Sequence, residues 1–241
     1  MDSPQSMGSN RSGVDRSYDG AKEMADAARE FPPTTEDHGL IELRTRYLAE
    51  AEPIGTVPVP GTVKGMAKAG MQKLMGRHAE VFIDMLGGRL AFERTGTRLY
   101  DAFIGKCMVR NDEATALPLE ELRQFRAEEA AHIGIVWDAL RQLGADPTSV
   151  TPMADINAVT SGGLYQVITD PRTSVGQSLH AIHVAELADN DGWVLLIKLA
   201  KEMGQDEMVT KFRQALHEED RHLKAMRRWM DQVNLSQAGV A

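Results

Sequence analysis

The chain contains a single cysteine, Cys107, in 241 residues. One cysteine excludes an intramolecular disulfide framework and any metal site built from several thiolates of one chain. We interpret Cys107 as a small buried hydrophobe and expect a reducing, cytoplasmic location.

Aromatic residues are also scarce and make up 5% of the chain. Ala, Leu, Glu, Arg and Met, which favour helix, fill the segments after residue 64 instead. This composition predicts an all-α fold, in a chain long enough to bury a substantial core.

An excess of positive charge is missing as well, because the formal net charge is −8. Neither nucleic acid nor a membrane is therefore expected as a partner. No apolar run approaches the roughly 18 residues of a membrane span, and the N-terminus lacks the apolar run of a signal peptide. We expect a soluble protein that is not exported.

The pattern along the chain predicts three regions. Residues 1–63 combine a mobile polar tail, short helices at 21–31 and 35–51, and an extended proline-rich strap. Residues 64–235 are predicted to form a four-helix bundle, and residues 236–241 a disordered end.

Apolar residues recur at three- and four-residue steps in four segments of the bundle region, which indicates four long helices. Their predicted limits are Lys64 or Gln72 to Val109, Pro118 to Leu143, Ser174 to Met203, and Gln205 to Val233.

Two features interrupt this pattern. Gly87 and Gly88 weaken the first long helix and indicate a kink, a close approach of another helix, or a break into two helices. Residues 145–171 are too apolar for a solvated linker and too rich in proline and glycine for a long helix. They are predicted to be a crossover connection that contains at most a short helix.

Carboxylates and histidines occur in the same order in both halves of the chain. The order is a lone glutamate and then a Glu-x-x-His pair: Glu93, Glu129 and His132, followed by Glu186, Glu219 and His222. Residues three apart lie on one helix face, so each pair offers both ligand types to one point. All four acids fall on apolar stripes, and two divalent cations would balance their buried charge.

The residue types favour iron or manganese. Four carboxylates and two imidazoles are a poor set for structural zinc and suit a carboxylate-bridged di-iron or di-manganese centre.

This ordered set resembles the ferritin-like di-iron carboxylate superfamily, in its rubrerythrin- and bacterioferritin-like forms, over about residues 72 to 233. The resemblance implies an up-down four-helix bundle with a long crossover between its second and third helices. It also implies that Glu93 and Glu186 are terminal ligands, that Glu129 and Glu219 bridge, and that His132 and His222 each bind one metal.

Departures from that family narrow the prediction. The chain has no C-x-x-C pair and so no rubredoxin module, and Val136 stands where ribonucleotide reductase small subunits carry a radical tyrosine. The N-terminal extension and the crossover are unlike a ferritin subunit and argue against a 24-subunit cage.

Neighbouring groups are assigned less central roles. Glu128, Glu218 and Asp220 are expected at the surface, although either glutamate of each pair could face inward. The spacing to histidine favours Glu129 and Glu219.

Three further residues on the ligand-bearing helices are candidates for a supporting role. Asp189 and His183 lie one turn from Glu186 and could support the ligands from behind. Tyr100 is a candidate catalytic residue or a hydrogen-bond donor to a ligand.

The leading functional hypothesis is a di-iron oxidoreductase of the ferroxidase or peroxide-reducing type, with O₂ or hydrogen peroxide as partner. The alternatives are manganese-catalase-like peroxide dismutation, a non-catalytic iron-binding or stress protein, and a structural module. In the last case Arg89, Arg94, Arg126 and Arg221 would neutralise the acids. The amphipathic N-terminal segment makes a homodimer the expected oligomer.

Overall fold

A computed structural model describes residues 18–32, 38–61, 63, 65–67, 78–110 and 116–240. The all-α prediction is confirmed for these residues, which contain no strand. No helix among them is long and apolar enough to span a bilayer. The helices are α1 (Tyr18–Glu30), α2 (His38–Glu50), α3 (Ala79–Arg110), α4 (Leu119–Leu143), α5 (Pro152–Thr169), α6 (Val175–Glu202) and α7 (Asp206–Ala238).

The chain divides into two compact units. Ser3–Ile54 form the smaller unit and Gly55–Ala241 the main body of the larger one. In the smaller unit, α1 and α2 occur close to the two short helices predicted there, although α1 begins within the predicted tail. The rest of that tail, residues 1–17, lies outside the described residues.

The glycine pair in α3 is explained by a close approach of the chain before and within α5. The helix continues unbroken through Gly87 and Gly88. A Cβ atom on Gly87 would lie 2.6 Å from Thr151 Cγ2, and one on Gly88 would lie 2.8 Å from Met153 Cβ. Both distances are shorter than van der Waals contact, so only glycine lets this segment pack so closely.

The crossover prediction is wrong in one respect, because residues 145–171 contain the 18-residue helix α5 and not a short one. Pro152 occupies the first turn, where a missing N–H costs nothing, and the Thr151 hydroxyl accepts from Ala154 N–H. Gly162 and Gly163 have open space around them and are simply tolerated. The prolines therefore mark the ends of a helix and do not break it.

Four helices form a ring, because α3 packs on α4 and α6, and α7 packs on α6 and α4, while α5 covers α3 and α6. Their apolar residues form two clusters, one containing Phe82 and Trp193, the other Phe103 and Trp229. Cys107 is buried in the second cluster, as expected. The cluster of Phe82 and Trp193 takes residues from the first part of α3 and the second part of α4, and from the second part of α6 and the first part of α7. The other cluster takes the opposite ends. Helices α3 and α4 are therefore antiparallel, and so are α6 and α7.

The ends of the bundle differ slightly from prediction. Helix α3 begins at Ala79, later than either predicted start, and both of those positions, Lys64 and Gln72, lie outside the described residues. At the other end, α7 continues to Ala238, into the stretch predicted as disordered, and is closed by Gly239 with φ 70°.

We predict that Gly88→Ala destabilises the protein by about 1 to 3 kcal/mol, because the new methyl group must push Met153 and the start of α5 away. Gly105→Ala is the matched control on the same helix, since a Cβ there meets nothing within 4 Å. It should stabilise by up to about 1 kcal/mol through helix propensity. Urea unfolding measures both changes, and equal effects would contradict the close approach.

Candidate metal centre

Seven acidic or imidazole side chains meet between the two apolar clusters. Each is at most 2% exposed: Glu93 on α3, Glu129 and His132 on α4, Glu186 and Asp189 on α6, and Glu219 and His222 on α7. The structure thus brings together all six residues that the sequence motif singled out, and adds Asp189.

The side chains fall into overlapping sets whose ligand atoms lie within 4.8 Å of one another. One set joins His132 to Glu93 and Glu219, and another joins His222 to Glu129, Glu186 and Glu219. A third set contains Glu93, Glu129, Asp189 and Glu219. Because Glu219 belongs to every set, it occupies the centre of the cluster.

The atoms that converge in this cluster have no hydrogen-bond partners. They are Nδ1 of His132 and His222, Oε2 of Glu93, Glu129 and Glu186, and both carboxylate oxygens of Glu219. Nδ1 of His132 lies 2.8 Å from Glu219 Oε1, yet without hydrogen-bond geometry. Buried polar atoms are almost always paired, so this concentration of unpaired acceptors fits cations held among them.

Each histidine is held through its other ring nitrogen. His132 Nε2 lies 2.8 Å from Glu218 Oε2, and His222 Nε2 lies 2.7 Å from Glu128 Oε2. When the neutral rings donate from Nε2, their Nδ1 lone pairs face the cluster, as metal binding requires.

These contacts correct the prediction that Glu128 and Glu218 belong to the surface. Both are half-buried, and each contacts the histidine of the other Glu-Glu-x-x-His segment. The signal in the sequence was the doubled glutamate, which occurs in both halves. Asp220 is also half-buried and accepts a hydrogen bond from the Asn190 side chain at 2.7 Å.

An arginine also enters the cluster. Arg89 donates from Nε to Glu93 Oε1 at 2.6 Å and from Nη2 to Asp189 Oδ1. Burial opposes its charge, but Asp189 and Glu93 more than offset this and raise the pKa of Arg89. Five carboxylates and one guanidinium leave a formal charge of −4 (−5 + 1), which two divalent cations would cancel.

Other predicted residues are placed as follows. Tyr100 is buried and its hydroxyl donates to Glu186 Oε1, while burial and the charge of Glu186 raise the pKa of the phenol. His183 is half-buried and belongs to none of the three sets. Gly96 faces the Glu129 carboxylate, which would collide with a Cβ at this position.

Protons must take the place of cations when the cluster is metal-free. Burial and the neighbouring Glu219 raise the pKa of Glu129 well above its ordinary value, and burial does the same for Asp189. Burial opposes the charge of His132, but Glu219 and Glu93 outweigh it and raise the pKa of that ring to about 11. Cations and protons therefore compete for the same atoms.

Fold and site together define an all-helical protein with a buried carboxylate–histidine cluster suited to metal ions. The sequence matches no family model and no curated protein. It is similar to a solved structure described as "ferritin like, diiron-carboxylate proteins from Bacillus anthracis str. Ames", with 15% identity and a TM-score of 0.48. The match covers 62% of this chain and 94% of that chain. A similarity this remote is no evidence for a metal site, so the evidence for one is the arrangement of the candidate ligand atoms.

We predict that the metal-free protein loses stability as the pH rises from 6.5 to about 9. The interaction of the charged His132 ring with Glu219 and Glu93 stabilises the folded protein fully below the ring's ordinary pKa of 6.5, and this contribution is lost as the pH approaches about 11. The raised pKa values of Glu129 and Asp189 act in the same direction. Thermal unfolding in a chelator measures the trend, and a Tm that rises over this range would contradict it.

We predict that Glu218→Gln weakens metal binding by about 10- to 100-fold, because the His132 ring loses its charged acceptor. Glu207→Gln removes the same charge from an exposed position of α7 and should leave the affinity unchanged. Competition with a chromogenic chelator measures both affinities. Equal affinities in the two variants would show that Glu218 does not support the ligand.

Proposed function

We propose that this chain holds two iron ions and acts as an oxidoreductase of the ferroxidase or peroxide-reducing type. The observation that carries the proposal is the convergence of unpaired ligand atoms from six buried side chains on four helices. A formal charge of −4 in a buried cluster supports two divalent ions and not one.

The three sets of ligand atoms suggest how the ions would be shared. Glu93 and His132 would hold one ion, and Glu186 and His222 the other, with Glu129 and Glu219 between them. Iron bound there would supply redox chemistry, in which each Fe(II) gives up one electron and O₂ or peroxide is reduced.

The residues around the ligands have separate tasks. Arg89 and Tyr100 fix the outer oxygens of Glu93 and Glu186, so their Oε2 atoms are left for the ions. Tyr100 keeps its proton because its pKa is raised, and it acts as a neutral donor. The apolar clusters on both sides keep bulk water away from the reacting atoms.

We predict that the wild-type chain binds about two Fe(II) ions under anaerobic conditions and oxidises them when air is admitted. Loading at several stoichiometries, followed by optical spectroscopy and iron analysis, measures both steps. Peroxide consumption coupled to an added reductant tests the second activity. Failure to bind two ions per chain would refute the proposal, and oxygen evolution by the manganese-loaded protein alone would point to peroxide dismutation.

A substitution in the cluster separates a metal centre from a salt-bridged structural core. Because the raised pKa of Glu129 favours its protonated form in the metal-free protein, Glu129→Gln imitates that form. We predict that the metal-free variant keeps its stability within about 0.5 kcal/mol, since the neutral side chain and its packing are retained. Stabilisation by Fe(II), about 4 kcal/mol at a thousandfold excess over Kd, should be lost.

Denaturant unfolding of wild type and variant, with and without Fe(II), gives all four free energies, and Glu207→Gln is again the control. If the metal-free variant instead loses the 3 to 5 kcal/mol or so of a broken buried ion pair, the cluster is a structural salt bridge.

A further inference from the structure

A separate cavity of about 160 Å³ lies among α3, α5 and α6. Arg89, Phe92 and Leu196 line it and are buried, so they form its floor, whereas Ala188 and Leu195 line it and are exposed, so they form its mouth. No side chain that faces the cluster with an unpaired atom lines this cavity. The cavity is therefore a place distinct from the metal-binding atoms.

Its walls limit what can bind. Apart from Arg89 and Asn157, the lining side chains are apolar, with Met85 and Met153 among them. An apolar protein cavity of about 150 Å³ holds a benzene-sized molecule. Methionine side chains adapt their shape to such ligands at low cost. The cavity therefore suits a compact, mainly apolar molecule.

Arg89 supplies a hydrogen-bond donor at the floor. Three of its five N–H groups donate to Glu93 and Asp189, through Nε, Nη1 and Nη2. Nη1 faces Gly192, where a Cβ would collide with it, and both residues line the cavity. Because Gly192 has no side chain to cover Nη1, we take its remaining N–H as the donor available to a ligand.

The charge around Arg89 selects against anions. Its guanidinium already bonds two carboxylates, those of Glu93 and Asp189. A carboxylate in the cavity would add a third anion to one guanidinium and would lose its hydration among apolar walls. A neutral acceptor, such as a carbonyl oxygen, incurs neither cost.

We infer that this cavity binds a small uncharged organic molecule, of about six to eight non-hydrogen atoms, through one acceptor atom hydrogen-bonded to Arg89. The inference depends on the cavity alone and holds whether or not the cluster takes up metal. It assigns to the chain an organic ligand beside the candidate metal centre.

The test uses the full chain in a chelator, so that its outcome is independent of metal loading. Binding of cyclohexanone is measured by saturation-transfer NMR. Methylenecyclohexane has nearly the same shape without the acceptor, and cyclohexanecarboxylate adds a negative charge. Cyclohexanone should bind about three- to tenfold more tightly than methylenecyclohexane, the gain from one hydrogen bond. Equal binding of these two, or tightest binding of the carboxylate, would overturn the inference.

A matched pair of variants locates the site. Ala188→Phe places a ring in the mouth and should weaken cyclohexanone binding at least tenfold. Val184→Phe, one turn earlier on the same exposed face, should leave binding unchanged. Leu195→Trp is a second obstruction of the mouth in case Ala188→Phe does not fold, as circular dichroism would reveal. Unchanged binding in a folded mouth variant would refute the assignment.

Discussion

The arrangement of the bundle depends on a concentration of negative charge that water does not reach. Five carboxylates lie at most 2% exposed around two histidines, and the guanidinium of Arg89 enters the group. A buried unpaired charge costs several kcal/mol, so this interior is stable only when cations or protons compensate the acids. The same side chains can accept either, so metal binding at this cluster would be coupled to protonation and to stability.

The two halves of the cluster are similar in sequence but not in surroundings. Glu93 accepts from a guanidinium, whereas Glu186 accepts from the neutral hydroxyl of Tyr100. A carboxylate that is paired with an arginine attracts a cation less strongly than one that accepts from a neutral hydroxyl. His222 also packs against Phe125, with ring centroids 4.2 Å apart. The two proposed metal positions therefore have chemically different surroundings.

Much of this site could be predicted from the sequence because the spacing of residues along a helix determines which helix face they share. A glutamate and a histidine three residues apart must share a face, so four apolar stripes were enough to bring six candidate ligands together. The partners of Glu128 and Glu218 were missed because each contacts a histidine about 90 residues away on another helix. The length of α5 was missed because its prolines were interpreted as breaks and lie at the ends of the helix.

Glycines inside the long helices show how the fold makes room for the charged cluster. A glycine within a helix costs about 1 kcal/mol relative to alanine, so its presence there needs a compensating contact. A Cβ on Gly96 would collide with the Glu129 carboxylate, and one on Gly192 with the Arg89 guanidinium. Each glycine therefore lowers helix propensity but leaves the space that one charged side chain occupies. Since the two lie on different helices, α3 and α6, the space around the cluster is built from both halves of the bundle.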